Sequence, residues 1–107
     1  MKTTLITVSA ALLLAGGSAF AADAAAGKVA YDKACKSCHG ATGDANPAIA
    51  KMMGVTMKNL SSADVQAASD KDLMAVITEG KGKMKPIKTV TGPDVANVVA
   101  YLRSFKK

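Results

Sequence analysis

The chain contains only two cysteines, Cys35 and Cys38, and just two residues separate them. A disulfide between them would close too short a loop to stabilise a fold, because cross-link stabilisation grows with loop length. The 107 residues suffice for one small domain, and the core of such a domain gives only modest stability. We therefore expect another group to complete the interior of the protein.

His39, the only histidine in the chain, directly follows the second cysteine. The resulting Cys-x-x-Cys-His sequence is the attachment signature of c-type haem. Thiols at this spacing reach the two vinyl groups on one edge of a porphyrin, while the next imidazole folds beneath the ring to the iron. The motif thus predicts one covalent haem c attached at Cys35 and Cys38, with His39 as an axial iron ligand.

Two other kinds of site also use closely spaced cysteines. A thioredoxin-like redox pair lies in a βαβ unit, and the sequence lacks the alternating β-branched runs that would build its sheet. A structural zinc site needs four ligands, and two cysteines with one histidine leave it incomplete unless a carboxylate helps. A haem-free thiol or metal-binding protein is the remaining alternative for this motif, and absence of colour after expression with an intact haem-attachment system would support it.

The N-terminal segment has the composition of a secretory signal peptide. Lys2 is followed by an apolar run over residues 5–15 and by small residues ending at Ala21, which is the expected order. The run is shorter than the roughly 20 residues that a membrane-spanning helix needs. We therefore expect residues 1–21 to be removed on export to the periplasm, leaving residues 22–107 as a monohaem domain without a membrane span.

The chain is basic, with a formal net charge of +6. Nucleic acid is not indicated, because the lysines are dispersed and no aromatic residues interleave with them to stack on bases. A basic surface favours acidic partners instead. Lysines cluster around the segment that carries Met84, and one lies inside the Cys-x-x-Cys-His motif: Lys36, Lys81, Lys83, Lys85 and Lys88. They either form a docking surface for acidic redox partners or are an ordinary solvated face.

The sixth iron ligand cannot be a second histidine of this chain, so the position goes to a methionine, a lysine, water or nothing. A methionine is the leading candidate. Met84 lies between Gly80 and Pro86 in a stretch with two glycines that cannot form a helix or a central strand. Such a loop, with a single thioether, suits an axial ligand, and Met/His ligation is typical of electron-transfer cytochromes. Met57 and the pair Met52 and Met53 remain alternatives, whereas Met74 lies in a helical pattern and is explained by packing.

The remaining pattern is all-α, with about four helices. We expect the first to be capped by Asp23 and to run to about Cys38, and residues 40–60 to form a loop around the haem edge. Residues 61–64 suggest the start of a short helix, residues 69–72 resemble a capping box before a helix that Gly80 ends, and residues 91–94 begin the last helix. That last helix carries one apolar stripe: Val95, Val98, Val99, Leu102 and Phe105.

Taken in order, these features resemble the class I c-type cytochromes, the small bacterial monohaem carriers in particular. The resemblance covers nearly all of residues 22–107: a helix with Gly27 and Tyr31, the haem motif, a glycine-rich loop bearing Met84 and a closing helix with Tyr101. It implies a small cytochrome c-like fold with about four helices around one covalently attached haem. It also implies that the terminal helices cross closely, with Gly27 against Tyr101.

The sequence departs from the family pattern at two places. The family usually has proline directly after the ligand methionine, whereas a lysine stands between Met84 and Pro86. The family also has a proline whose carbonyl accepts the Nδ1 proton of the haem-binding histidine, and here Pro47 and Ala50 are both candidates. Either carbonyl is expected to orient His39.

The sequence therefore predicts a periplasmic electron carrier rather than an enzyme, with the iron cycling between Fe(II) and Fe(III). If Met84 did not bind the iron, an open site could serve a gas sensor or a peroxidase. The chain has no second histidine to assist peroxide cleavage, which disfavours that alternative.

Overall fold

The computed structural model describes residues 22–107, so the expected signal peptide, residues 1–21, lies outside the described residues. The described part is helical, and its one β feature is an isolated bridge between Lys81 and Met84. Its helices are, in chain order, α1 (Ala24–Ala34), α2 (Lys36–His39), α3 (Pro47–Met53), α4 (Ala63–Ala67), α5 (Asp70–Glu79) and α6 (Pro93–Arg103). The three longer helices, α1, α5 and α6, form the frame, and the short ones shape one side of it.

The first and last helices cross closely at Gly27. A Cβ atom there would overlap the backbone carbonyl of Asn97 and touch the nitrogen of Val98, so only glycine lets the two backbones approach this far. The close crossing was predicted, but its partner was wrong: the Tyr101 ring packs against Tyr31, with centroids 5.2 Å apart. The reason is the helix register, which places the α6 backbone opposite Gly27 and the aromatic side chain one helical turn further along.

The core lies between α1, α5 and α6. The predicted stripe of α6 is confirmed, with Val95, Val98, Val99 and Leu102 buried and Phe105 packed against them. Tyr31 is fully buried and forms an edge-to-face cluster with Tyr101 and Phe105. Such pairs add stabilisation beyond area burial, which matters in a small core.

The predicted starts of α4 and α5 are confirmed. The Ser62 and Ser69 hydroxyls cap α4 and α5 by accepting from the backbone N–H groups of Val65 and Asp72. The first helix is shorter than expected, because Cys35 leaves helical geometry and separates α1 from the single turn of α2.

The expected loop over residues 40–60 is wrong in its middle, where α3 forms. The Asn46 side chain caps this helix, Pro47 occupies its first turn, and Gly54 ends it in the left-handed conformation with φ 65°. An Asn cap, an initial Pro and a final Gly are standard helix boundary signals. They outweigh the weak apolar periodicity on which the loop prediction rested.

Among residues 22–107, none of the helices combines the length and the apolar character that crossing a membrane requires.

Candidate haem site

The attachment motif forms one tight helical turn. The N–H groups of Cys38 and His39 both donate to the carbonyl of Cys35, at 3.2 and 3.0 Å. This geometry brings the two thiols and the imidazole together, as the spacing predicts. The Tyr31 hydroxyl donates to the Gly40 carbonyl at 2.6 Å, so the end of the turn is fixed to the buried face of α1.

A cavity of about 820 Å³ lies beside this turn. Cys35, Cys38, His39 and Met84 are all among its lining residues. Most of the remaining wall is apolar, including Leu73, Val76 and Ile77 from α5 together with Val55, Ile87 and Leu102. The volume lies in the range of cofactor sites, about 300 to 1,000 Å³.

His39 has an unusual environment for a histidine. In the described part of the chain its Nδ1 atom is buried without a hydrogen-bond partner, so the expected acceptor, the carbonyl of Pro47 or Ala50, does not bind it. Burial lowers the pKa of His39, which favours the neutral imidazole, the form that binds a metal. A neutral imidazole on an apolar cavity wall fits a flat apolar group that carries a metal ion.

The two thiols are free. Burial, and to a lesser extent the neighbouring Cys38, raises the pKa of Cys35 to about 11. The thiol is therefore protonated near neutral pH, whereas thiol-disulfide exchange needs an accessible thiolate. The donor set of two thiols and one imidazole beside an apolar cavity fits covalent haem c attachment, as the motif predicts, better than a thioredoxin-like activity.

Met84 ends a compact turn. Lys81 and Met84 exchange two backbone hydrogen bonds, at 2.9 and 3.0 Å, around Gly82, which has a positive φ of 58°. This is the irregular, glycine-dependent segment that the sequence predicts.

The other methionines differ in position. Met53 and Met57 also line the cavity, whereas the Met52 side chain is 75% exposed and is not part of the wall. Met74 packs against the hydrophobic core, as expected. The structure thus brings Met53, Met57 and Met84 to one cavity and removes Met52 from the candidates.

Four lysines surround the cavity mouth, namely Lys58, Lys81, Lys83 and Lys85, together with the acidic Asp64 and Asp72. Lys36 and Lys88 are exposed but do not line it. Lys58 pairs with Asp64 at 3.1 Å, so part of the positive charge is neutralised locally.

Two polar residues near the site have structural roles that the sequence does not predict, although Lys83 is one of the lysines expected around Met84. Asn46 joins α3 to the attachment turn, and Lys83 joins the Met84 turn to the carbonyl of Met53 at 2.7 Å. The Asn46-Pro47 pair is a recognisable helix start that could have indicated the first. No local sequence pattern predicts the bond from Lys83 to Met53, since these residues are thirty positions apart.

Residues 22–102 match the family described as "Cytochrome C oxidase, cbb3-type, subunit III". This range includes α1 through nearly all of α6, and therefore every residue of the site described above.

Three curated relatives are similar over most of the chain. Cytochrome c-554(547) of Halothiobacillus neapolitanus is 32% identical, over 80% of this chain and 100% of its own length. Cytochrome c6 of Rippkaea orientalis is 37% identical, over 78% and 72%. Cytochrome c-555 of Chlorobaculum tepidum is 38% identical, over 89% and 92%. Among solved structures, the KustC0563 c-type cytochrome has a TM-score of 0.64 and 32% identity, covering 76% of this chain and 98% of its own.

Proposed function

The chain belongs to the small monohaem class I c-type cytochromes, and on that basis we propose that it is a periplasmic electron carrier with His39 and Met84 as its axial ligands. Members of this family bind one covalent haem c and pass electrons to redox partners; they are not enzymes. When bound, the haem supplies an iron that changes between Fe(II) and Fe(III).

One observation carries the assignment of residues. Cys35, Cys38, His39 and Met84 line the same cavity, although His39 and Met84 are forty-five positions apart along the chain. In this proposal Cys35 and Cys38 form the two thioether links, and His39 binds the iron as the proximal ligand. Residues 22–107 then form the monohaem cytochrome c domain.

Met84 is preferred over the other two cavity methionines by its setting. Its backbone is held in a two-bond turn whose neighbours are glycine and lysine, and among residues 22–107 Met84 is not one of the side chains packed against the hydrophobic core. Met53 belongs to the end of helix α3 and not to a loop, and Met57, unlike Met84, has no backbone hydrogen bond to hold its segment among those of residues 22–107. A thioether ligand raises the reduction potential of the haem.

The apolar wall formed by Leu73, Val76, Ile77 and Leu102 has its own role in this proposal. With haem bound it would exclude water from the cofactor and lower the local dielectric constant, which disfavours the more highly charged Fe(III) state and so raises the reduction potential. No side chain of the chain needs to act as an acid, a base or a nucleophile.

The location and the partners follow from charge and export. We expect residues 1–21 to direct export and to be removed, which places the haem domain in the periplasm. Lys81, Lys83 and Lys85 at the cavity mouth favour redox partners with acidic surfaces.

The decisive experiment is absorption spectroscopy of the purified protein, oxidised and reduced. We expect sharp c-type bands on reduction and a weak near-infrared thioether-to-iron band on oxidation. Met84→Ala should abolish the near-infrared band and allow the reduced protein to bind carbon monoxide, because it opens one axial position.

Met53→Ala and Met57→Ala are the matched controls, since both remove a thioether from the same cavity. They should retain the band. Loss of the band in Met57→Ala but not in Met84→Ala would reassign the ligand, and a haem protein without the band in its natural form would favour the open-site alternative.

A further inference from the structure

Helix α3 touches both segments that carry the proposed axial ligands. At its start it is bonded to the attachment turn with His39, and at its end it is bonded to the turn with Met84. Seven residues of α-helix form a spacer about 10 Å long, and a hydrogen-bonded helix is stiffer than the loop the sequence suggested.

Asn46 makes the first connection with three of its groups. Its N–H donates to the Cys38 carbonyl at 2.9 Å, and its Nδ2 donates to the Ser37 carbonyl at 3.3 Å. Its Oδ1 accepts from the N–H groups of Ala48 and Ile49 and so caps α3. One side chain therefore fixes the start of the helix to the turn that carries His39.

Lys83 makes the second connection. Its ammonium group donates to the carbonyl of Met53, the last residue of α3, at 2.7 Å. The last carbonyls of a helix are left without helical partners and carry partial negative charge, so a lysine here is stabilising. Lys83 directly precedes Met84 in the chain, so this bond acts within one residue of the proposed ligand.

The Met84 turn has few other attachments. Its two backbone hydrogen bonds are internal, between Lys81 and Met84, and the next backbone bond to the frame joins Ile87 N–H to the Ile77 carbonyl at 2.8 Å. Among the hydrogen bonds of residues 22–107, none involves the ammonium group of Lys81 or Lys85. Lys83 is thus the side chain that ties this turn to α3.

We infer that α3 is a strut that holds the Met84 turn at a fixed distance from the His39 turn, with Lys83 and Asn46 as the positioning residues at its two ends. This inference rests on the proposed ligation by His39 and Met84. Its consequence is that the strength of the iron-to-Met84 bond depends on two residues that do not touch the iron.

Imidazole titration of the oxidised holoprotein measures this directly. Imidazole binds the iron only after Met84 has left it, so its apparent affinity reports how often the turn opens. Lys83→Gln should bind imidazole about threefold to tenfold more tightly than the natural protein, the effect of losing one exposed charged hydrogen bond. On heating, the near-infrared band of Lys83→Gln should also disappear at a lower temperature than that of the natural protein. The midpoint of thermal unfolding, followed by far-ultraviolet circular dichroism, should be nearly the same in both.

Lys85→Gln is the matched control, because it removes the same charge from the same turn without removing a hydrogen bond. Its imidazole affinity should equal that of the natural protein. Lys83→Arg keeps a charged donor at the same position, so its imidazole affinity should also be close to that of the natural protein. If Lys83→Gln and Lys85→Gln bind imidazole equally, the strut is rejected and only charge is at work.

The other end is tested with Asn46→Asp, which keeps an acceptor to cap α3 and loses the donor to the Ser37 carbonyl. It should also raise the apparent imidazole affinity. If α3 acts as one strut, releasing either end releases the turn, so the double variant should show less than the product of the two single effects. Effects that simply multiply would mean that the two ends act separately and would overturn the inference.

Amide hydrogen exchange distinguishes failure of this inference from failure of the proposed ligation. If Met84→Ala leaves the near-infrared band unchanged, Met84 is not the ligand, and exchange at the Met84 N–H then decides whether the strut exists. Faster exchange in Lys83→Gln than in Lys85→Gln supports the strut, and equal exchange overturns it.

Discussion

The crossing of α1 and α6 and the turn that carries Met84 differ in how they are held. At the crossing, two backbones meet at Gly27, and an aromatic cluster centred on the buried Tyr31 lies beside them. The Met84 turn is exposed except for Met84 itself, and its tie to α3 is a single lysine bond.

This difference assigns separate tasks to the two sides of the cavity. The histidine side follows directly from α1, so packing of the terminal helices fixes it. The methionine side is held by a few exposed hydrogen bonds, which contribute little individually, and regions held in this way open most readily. Global stability and iron ligation should therefore respond to different substitutions.

The largest effect is expected from Gly27→Ala. The added Cβ would overlap the Asn97 carbonyl, and because backbone cannot yield without separating the helices, the free energy of unfolding should fall by about 3 kcal/mol. Urea unfolding of the holoprotein, followed by circular dichroism, measures this loss.

Gly82→Ala provides the contrast on the other side. A Cβ there meets nothing within 4 Å, but φ is 58°, so the cost is backbone strain of about 1 kcal/mol. Compared with Gly27→Ala, it should weaken the near-infrared band more and lower the free energy of unfolding less. If both glycine variants changed stability and ligation in the same proportion, the proposed division between the two sides would be wrong.

An effect smaller than that of Gly27→Ala is expected from Tyr31→Phe, which removes the hydrogen bond to the Gly40 carbonyl at 2.6 Å but keeps the ring. Leaving that acceptor without its partner should cost about 1 to 2 kcal/mol of unfolding free energy at neutral pH. Because the ring cluster persists, the near-infrared band should be retained.

The same variant has a pH signature. Burial raises the pKa of Tyr31 above its ordinary value of about 10, so the folded protein retains a proton that the unfolded chain releases. This stabilisation is complete below about pH 10 and is lost as pH rises towards the folded-state pKa. Urea midpoints should therefore fall more steeply above pH 10 in the natural protein than in Tyr31→Phe, and parallel curves would contradict the assignment.

The two sides also differ in how far the sequence could predict them. The Cys-x-x-Cys-His turn and the α6 stripe are local patterns, and their periodicity fixes which side chains share a face. The crossing of α1 and α6 was expected from a family resemblance, yet the contact at Asn97 depends on helix register, which spacing alone does not determine. The prediction therefore placed Gly27 correctly and its neighbour incorrectly.

The structure of the methionine side is less predictable from the sequence. The glycines around Met84 indicate a turn, but the tie from Lys83 to Met53 depends on where α3 ends, and α3 was interpreted as loop despite Asn46 and Pro47. Choosing among Met53, Met57 and Met84 likewise needs the shape of the cavity. Long-range contacts between short irregular segments leave no periodic trace in a sequence.

The smallest effect on the free energy of unfolding is expected from substitutions in two matched ion pairs. These substitutions also distinguish an effect on stability from an effect on the rate of electron transfer to a charged oxidant. Lys58 pairs with Asp64 at the cavity mouth, and Lys28 pairs with Asp32 on α1, away from the cavity lining. Both lysines are exposed, so Lys58→Gln and Lys28→Gln should leave the urea midpoint nearly unchanged. Only Lys58→Gln should slow oxidation by the anion ferricyanide, about twofold at low ionic strength, because only that charge lies at the cavity, where we propose that electrons leave. The difference should vanish once salt screens charges beyond about 8 to 10 Å; equal slowing by both variants would mean that net charge, and not a docking surface at the mouth, sets the rate.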